Sequence, residues 1–317
     1  MHPMANRYRP RTAFVLAGGG SLGAAQIGML RALLERGINA DLVVGSSVGA
    51  INAAYFAGNP TLDGLARLEA LWHNLKRTDV LPFSWRGFFG LLRRGNHLVS
   101  SDRLRRLLDT HLPYQNLEDA PLPVHVVATD ILSGQPVILS HGSAARAVMA
   151  SSAIPGAFAP VEIDGRLLCD GAVASNTPVR AAVRHGARRL FVLPTGSVTG
   201  LQGPPAGALA NAVHAIGLLT HRQLTLECEH LRGVGECYML PSACPPGISP
   251  LDFTRTPELI ERAYTSTCRW IDEGGMEHRV APPARLPMRR TAAPSMKTRT
   301  RRTASPSNGS FALRAGP

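Results

Sequence analysis

The chain has 317 residues, 44 % hydrophobic and 5 % aromatic, which suits one large α/β domain or two smaller ones with an aliphatic core. Its net charge of +12 belongs largely to a tail: nine Lys or Arg and no Asp or Glu fall between Arg279 and Pro317, leaving +3 for the first 278 residues. Five cysteines without C-x-x-C spacing argue against structural zinc and fit a reducing compartment, and no stretch approaches the roughly 20 apolar residues of a membrane span.

Residues 1–10 form a polar, basic leader, and the apolar run behind them, residues 12–17, is too short for a signal h-region. That run predicts a first buried strand. Gly18-Gly19-Gly20-Ser21-Leu22-Gly23 follows, then a helix over 22–36 closed by Gly37. A second strand is expected over 41–44. Gly45-Ser46-Ser47-Val48-Gly49 comes next, and a helix over 48–57 leaves it. Leu62, Leu65, Leu68, Leu71, Trp72 and Leu75 recur at helical spacing over 61–76, and Ser101 to Thr110 predicts another helix.

Between them, residues 79–99 place Phe83, Trp85, Phe88 and Phe89 beside Arg86, Arg93 and Arg94. This segment reads equally as a lid or interfacial patch and as a capping helix over a pocket. Strands are expected over 124–128, 136–139 and 190–193, with a helix over 177–185 before the last. Strands alternating with helices predict parallel pairing. The expected fold is α/β: a doubly wound, mostly parallel sheet flanked by helices, in a single domain over 11–275. The tail over 279–317 is too poor in apolar side chains to order itself and is expected to be disordered.

The chemistry concentrates at two glycine-bounded turns. An apolar strand running into G-x-S-x-G and then a helix is a nucleophile elbow. The turn drives its central residue toward positive φ, and only glycine at its two flanks escapes a clash. Ser47 therefore stands at the top of a sheet with the positive end of the next helix beneath it, supported by Gly45, Val48 and Gly49. Gly18 to Gly23 also matches G-x-G-x-x-G, the dinucleotide fingerprint. That reading needs an acidic residue at the end of the second strand, whereas Asp41 stands at its beginning. The same amides suit an oxyanion, and an acyl hydrolase needs both pieces together.

With these motifs the chain resembles the patatin-like phospholipases. Gly18 to Gly23 is similar to the family's Gly-rich oxyanion loop, with Leu22 where Arg or Lys is usual, and Gly45 to Gly49 to its elbow. Asp170-Gly171-Ala172 with Asn176 and Pro178 is similar to its aspartate motif, and Ala150 to Pro155 to its Ala-Ser segment. The resemblance implies a lipid acyl hydrolase in which Ser47 attacks an ester carbonyl, Asp170 is the base without a histidine between, and Gly18, Gly19 and Gly20 hold the oxyanion. It implies an acyl-lipid substrate; no cofactor is expected, and the sequence singles out no metal-ligating residues. Two other readings stand beside it: a Ser-Asp-His esterase using one of His185, His214, His221, His230 or His278, and a nucleotide-binding protein using the Gly-rich loop. A cytoplasmic location is expected, with peripheral membrane contact through 79–99 and the basic tail and no specific nucleic acid.

Overall fold

The structure, a computed structural model, describes residues 11–75, 102–196, 207–230, 235–242, 244–245 and 248–277. The leader, the 79–99 segment and the tail from 279 onward lie outside the described residues.

Runs of Val, Leu, Phe and Ala make strands that are buried on both faces: β1 (Thr12–Leu16), β2 (Leu42–Ser46), β3 (Val124–Asp130) and β7 (Arg189–Leu193). With β8 (Glu236–Met239) they form a parallel ladder in the order β3-β2-β1-β7-β8. In that ladder Phe14 is level with Val43 on one side and Phe191 on the other. Side chains alternate between two cores. Phe14, Leu16, Val43, Val126, Phe191 and Leu193 face the larger one. Ala13, Val15, Leu42, Val44, Leu190 and Val192 face the smaller.

The larger core is covered by α1 (Ala24–Glu35), α2 (Val48–Gly58), α3 (Leu62–Asn74), α5 (Ala144–Ser151) and α9 (Thr256–Asp272). The smaller is covered by α7 (Val179–Arg184), with Leu224 of α8 (Ala208–His230) at its edge. This is the three-layer, mostly parallel α/β fold that the alternating pattern predicts. α4 (Asp102–His111) adds Leu104 and Leu108 to the larger core. Local signals set several boundaries. Thr61 caps α3 by accepting the Gly64 N–H at 3.1 Å. Gly37 takes φ +68° after α1, where its own N–H and that of Ile38 reach back to Leu34 and Leu33.

Three features depart from the sequence expectation. The first helix starts at Ala24, because Gly20–Gly23 forms a separate 3₁₀ turn. The sheet gains an antiparallel flank: β4 (Pro136–Leu139) and β6 (Arg166–Cys169) pair antiparallel with β3, and β5 (Val161–Ile163) with β6. The five residues joining β3 to β4 are too few for a crossover, so only a hairpin closes. Two long helices, α8 and α9, complete the C-terminal part. Among the described residues no helix is long and apolar enough to cross a membrane, and no cluster of three or more His, Cys, Asp or Glu is placed to hold a metal.

Candidate active site

β2 ends at Ser46 and α2 begins at Val48, so a single residue makes the whole turn. That residue is Ser47, with φ 54° and ψ −127°, a conformation non-glycine residues rarely adopt. The flanking glycines permit it. A Cβ on Gly45 would fall on the Gly49 carbonyl, and one on Gly49 would fall on the carbonyl of Leu16 in β1. The backbone is also held from outside: the Ser47 N–H donates to Ser151 Oγ at 2.9 Å, and that hydroxyl donates to the Val127 carbonyl at 2.6 Å. Ser151 is fully buried, so its two bonds tie the elbow to β3 without solvent competition.

Asp170 follows β6 and precedes α6 (Ala172–Ser175). Its carboxylate accepts the Ser47 hydroxyl at Oδ2, 2.7 Å away, and the Ala172 N–H at Oδ1, 2.8 Å away. Its backbone is fixed as well: its N–H donates to Ala153, and its carbonyl accepts the buried Thr129 hydroxyl at 2.8 Å. Burial raises the Asp170 pKa from the ordinary value to about 6, against the lowering effect of the Ser47 and Ala172 hydrogen bonds. Removal from water dominates because only 4 % of the residue is exposed and, among the described residues, no cation supplies a bond.

The glycine loop faces this pair. A Cβ on Gly18 would approach the Ser47 Cβ to 3.1 Å, so the loop and the elbow are in contact. Thr195 donates its hydroxyl to the Gly18 carbonyl at 2.6 Å, and Ser21 donates its N–H to the Pro250 carbonyl at 2.8 Å. Beneath the loop, Gln26 bonds the carbonyls of Ala17 and Leu193, Asn52 bonds Gln26 and the Gly23 carbonyl, and Trp72 bonds Asn52 at 2.9 Å. One expectation for the loop needs correction. The Gly18 N–H donates to the Asn176 carbonyl at 3.0 Å and is not free to meet an oxyanion. Among the described residues the N–H groups of Gly19 and Gly20, and of Val48 at the first turn of α2, have no backbone acceptor.

Ser47, Asp170 and Gly18 to Gly20 share a cavity of about 1480 Å³. Its walls are apolar, among them Leu68, Leu71, Trp72, Leu104, Leu108 and Phe253. The cavity exceeds the few hundred to 1,000 Å³ of ordinary small-ligand sites.

The other two readings find less support in the geometry. His185 stacks on His125 with centroids 3.6 Å apart, beside Arg11 at the opposite end of the strands from Ser47. His214 and His221 line the cavity, but no described histidine bonds Ser47 or Asp170. His230 ends α8, and His278 lies outside the described residues. Asp41, which a dinucleotide site would aim at a ribose, accepts the Thr12 N–H at 2.7 Å where β1 begins. Thr129, Thr195, Gln26 and Asn52 had no signal in the sequence, because isolated polar residues in apolar helices and strands carry no spacing pattern. Ser151, though within the Ala150–Pro155 segment of the resemblance, showed nothing there of its bonds to the elbow and β3.

A serine at a strand–helix elbow, bonded to a buried aspartate under a glycine loop, defines this as a three-layer α/β protein of the patatin-like kind. The chain belongs to the patatin-like phospholipase family, whose model matches residues 14–183. It is 35 % identical over 173 residues to an uncharacterized NTE family protein of Mycobacterium tuberculosis, covering 54 % of this chain and 45 % of that one. It is 29 % identical over 187 residues to patatin-like phospholipase domain-containing protein 7 of Mus musculus, covering 58 % of this chain and 14 % of that one. The chain thus spans less than half the length of these relatives. Human GIVD cytosolic phospholipase A2 is a solved structure matched at a TM-score of 0.47 with 14 % identity, over 84 % of this chain and 59 % of that one.

Proposed function

We propose that the protein hydrolyses a carboxylic ester of an acyl lipid through a covalent acyl-Ser47 intermediate, with Asp170 as general base. The observation that carries this is the 2.7 Å hydrogen bond from the Ser47 hydroxyl to a buried carboxylate on the wall of a large apolar cavity. Ser47 Oγ attacks the ester carbonyl carbon while its proton passes to Asp170 Oδ2. The tetrahedral oxyanion meets the N–H groups of Gly19, Gly20 and Val48, whose removal one at a time costs about 10²–10³ in rate in comparable sites. The C–O bond to the alcohol then breaks, and the alcohol leaves with the proton held on Asp170. Water repeats the sequence on the acyl-serine: it gives a proton to Asp170, and Ser47 recovers one as the free carboxylic acid departs.

A carboxylate of ordinary pKa is a weak base for an alcohol. With its pKa at about 6, Asp170 is more basic and still about nine-tenths ionised at pH 7. The apolar walls suit acyl chains, and the family and the name of its mouse relative point to phospholipids as the ester class. The test is fatty-acid release from lysophosphatidylcholine and from a short-chain soluble ester. The native chain should turn over both, and Ser47→Ala neither, with unchanged melting behaviour. Asp170→Asn should lose several orders of magnitude, since asparagine keeps the shape but accepts no proton. Full activity in Asp170→Asn, or loss on replacing His214 or His221 alone, would reject the dyad in favour of a histidine base.

A further inference from the structure

Large apolar side chains left in solvent are normally scattered singly over a protein surface. Here they gather. Ile154, Val173, Ile216 and Leu219 are 42 %, 50 %, 59 % and 65 % exposed, and all four line the cavity that holds Ser47, so they mark its mouth. The belt continues past the mouth. Ile131 shares a smaller pocket of about 260 Å³ with Val173 and Phe158, and its N–H donates to the Leu167 carbonyl at 3.0 Å. Next to it Leu132 is 89 % exposed. That leucine is presented on a rigid support: Asp130 Oδ1 accepts the N–H groups of Leu132 and Ser133 at 2.9 and 3.0 Å, an Asx-type turn at the tip of the β3–β4 hairpin.

Two arginines stand beside the belt: Arg222 of α8 lines the same cavity, and Arg166 precedes Leu167 in β6. Of the nearby carboxylates, Asp130 accepts the hairpin amides and Glu227 accepts the Ser175 hydroxyl and the Arg180 N–H, while Glu162 is exposed opposite Leu167 in the β5–β6 pair. Protruding aliphatic side chains on fixed turns, beside cations, fit the acyl–headgroup boundary of a bilayer. They penetrate it without needing a complementary shape, while the arginines meet phosphates.

We infer that the belt of Ile131, Leu132, Ile154, Val173, Ile216 and Leu219 docks the cavity mouth on a phospholipid bilayer surface. The purpose of the docking rests on the proposed lipid hydrolysis, since a mouth pressed on the bilayer admits an acyl chain without passage through water. The contact itself is independent of catalysis and is tested without it.

The full chain carrying Ser47→Ala is sedimented with neutral phosphatidylcholine vesicles at about 0.5 M salt, where attraction through the basic tail is screened. Adding Leu132→Asp with Leu219→Asp should lower the bound fraction about tenfold or more at unchanged melting temperature. Leu62→Asp, which removes a leucine 47 % exposed on α3 that lines neither pocket, should leave it unchanged. Equal binding of the double variant and the Leu62→Asp control would overturn the inference, as would no binding by the parent. A concentration-dependent dimer dissolved by the double variant, with vesicle binding intact, would assign the belt to a second copy of the chain instead. Soluble-ester turnover by the chain with native Ser47 is measured in parallel. Its absence would sink the proposed chemistry while the vesicle result stands or falls separately.

Discussion

At the scale of single residues, Asp170 sets the pH behaviour of both activity and stability. As a base it acts only when ionised, and burial raises its pKa to about 6. The kcat/KM for a soluble ester should therefore be level above about pH 7 and fall about tenfold per unit below pH 6. A profile flat down to pH 4.5 would contradict the assignment. The same shift costs stability. A carboxyl whose folded pKa exceeds its unfolded one binds its proton better when folded, so its contribution is full below pH 4 and is lost as pH rises through 6. A rise from the ordinary carboxyl value to about 6 corresponds to about 3 kcal/mol at pH 8, which Asp170→Asn, neutral throughout, does not lose. Thermal melts should show Asp170→Asn gaining on the parent between pH 4 and pH 8, and a constant difference would refute the burial argument. Such a gain accompanying lost activity is the trade expected of a strained, desolvated centre.

Single elements carry the next set of expectations. The elbow depends on two glycines whose missing Cβ atoms let β1, β2 and α2 meet. Gly49→Ala should lower stability by about 3 kcal/mol or more, because the colliding atom is the Leu16 carbonyl, which cannot rotate away. A melting temperature near that of the parent would show that the strands part more easily than their packing implies. At the other end of the sheet, burial lowers the His125 pKa to about 4, with help from His185, Arg11 and His141. Its folded pKa lies below its unfolded one, so stability is full above pH 6.5 and is lost as pH falls toward 4. Urea titrations at pH 7 and pH 4.5 should show a smaller acid loss in His125→Gln, and equal losses would reject the role.

The elbow and the ladder strands β1, β2, β3 and β7 were legible because continuous apolar runs and paired glycines are local signals, whereas the edge strand β8, Glu236–Met239, has no such run. The antiparallel flank was not: Val161–Ile163 and Arg166–Cys169 are short and carry exposed residues, and their pairing is decided by a hairpin against β3. Gly18 shows the same limit at the site. Its motif predicts a free amide, but whether Asn176 occupies that amide depends on how residues 158 positions apart meet.

Across the whole molecule, the sheet gathers groups far apart in sequence at the C-terminal ends of its strands. Ser47 leaves β2 and the glycine loop leaves β1, while Asp170 enters from the antiparallel flank. The order of these motifs along the chain made their partnership readable through the family resemblance, although their contact could not be read from spacing. The basic tail contributes none of these groups. Deleting residues 279–317 should leave soluble-ester turnover within about twofold of the native chain and weaken binding to anionic vesicles at low salt. Loss of turnover would place the tail within the working fold. The central claim is that Ser47 is the nucleophile, and the most direct measurement is fluorophosphonate labelling of the native chain followed by peptide mass mapping. The label should fall on Ser47 alone and be absent from Ser47→Ala. A label on Ser46 or Ser152, or one persisting in Ser47→Ala, would contradict it.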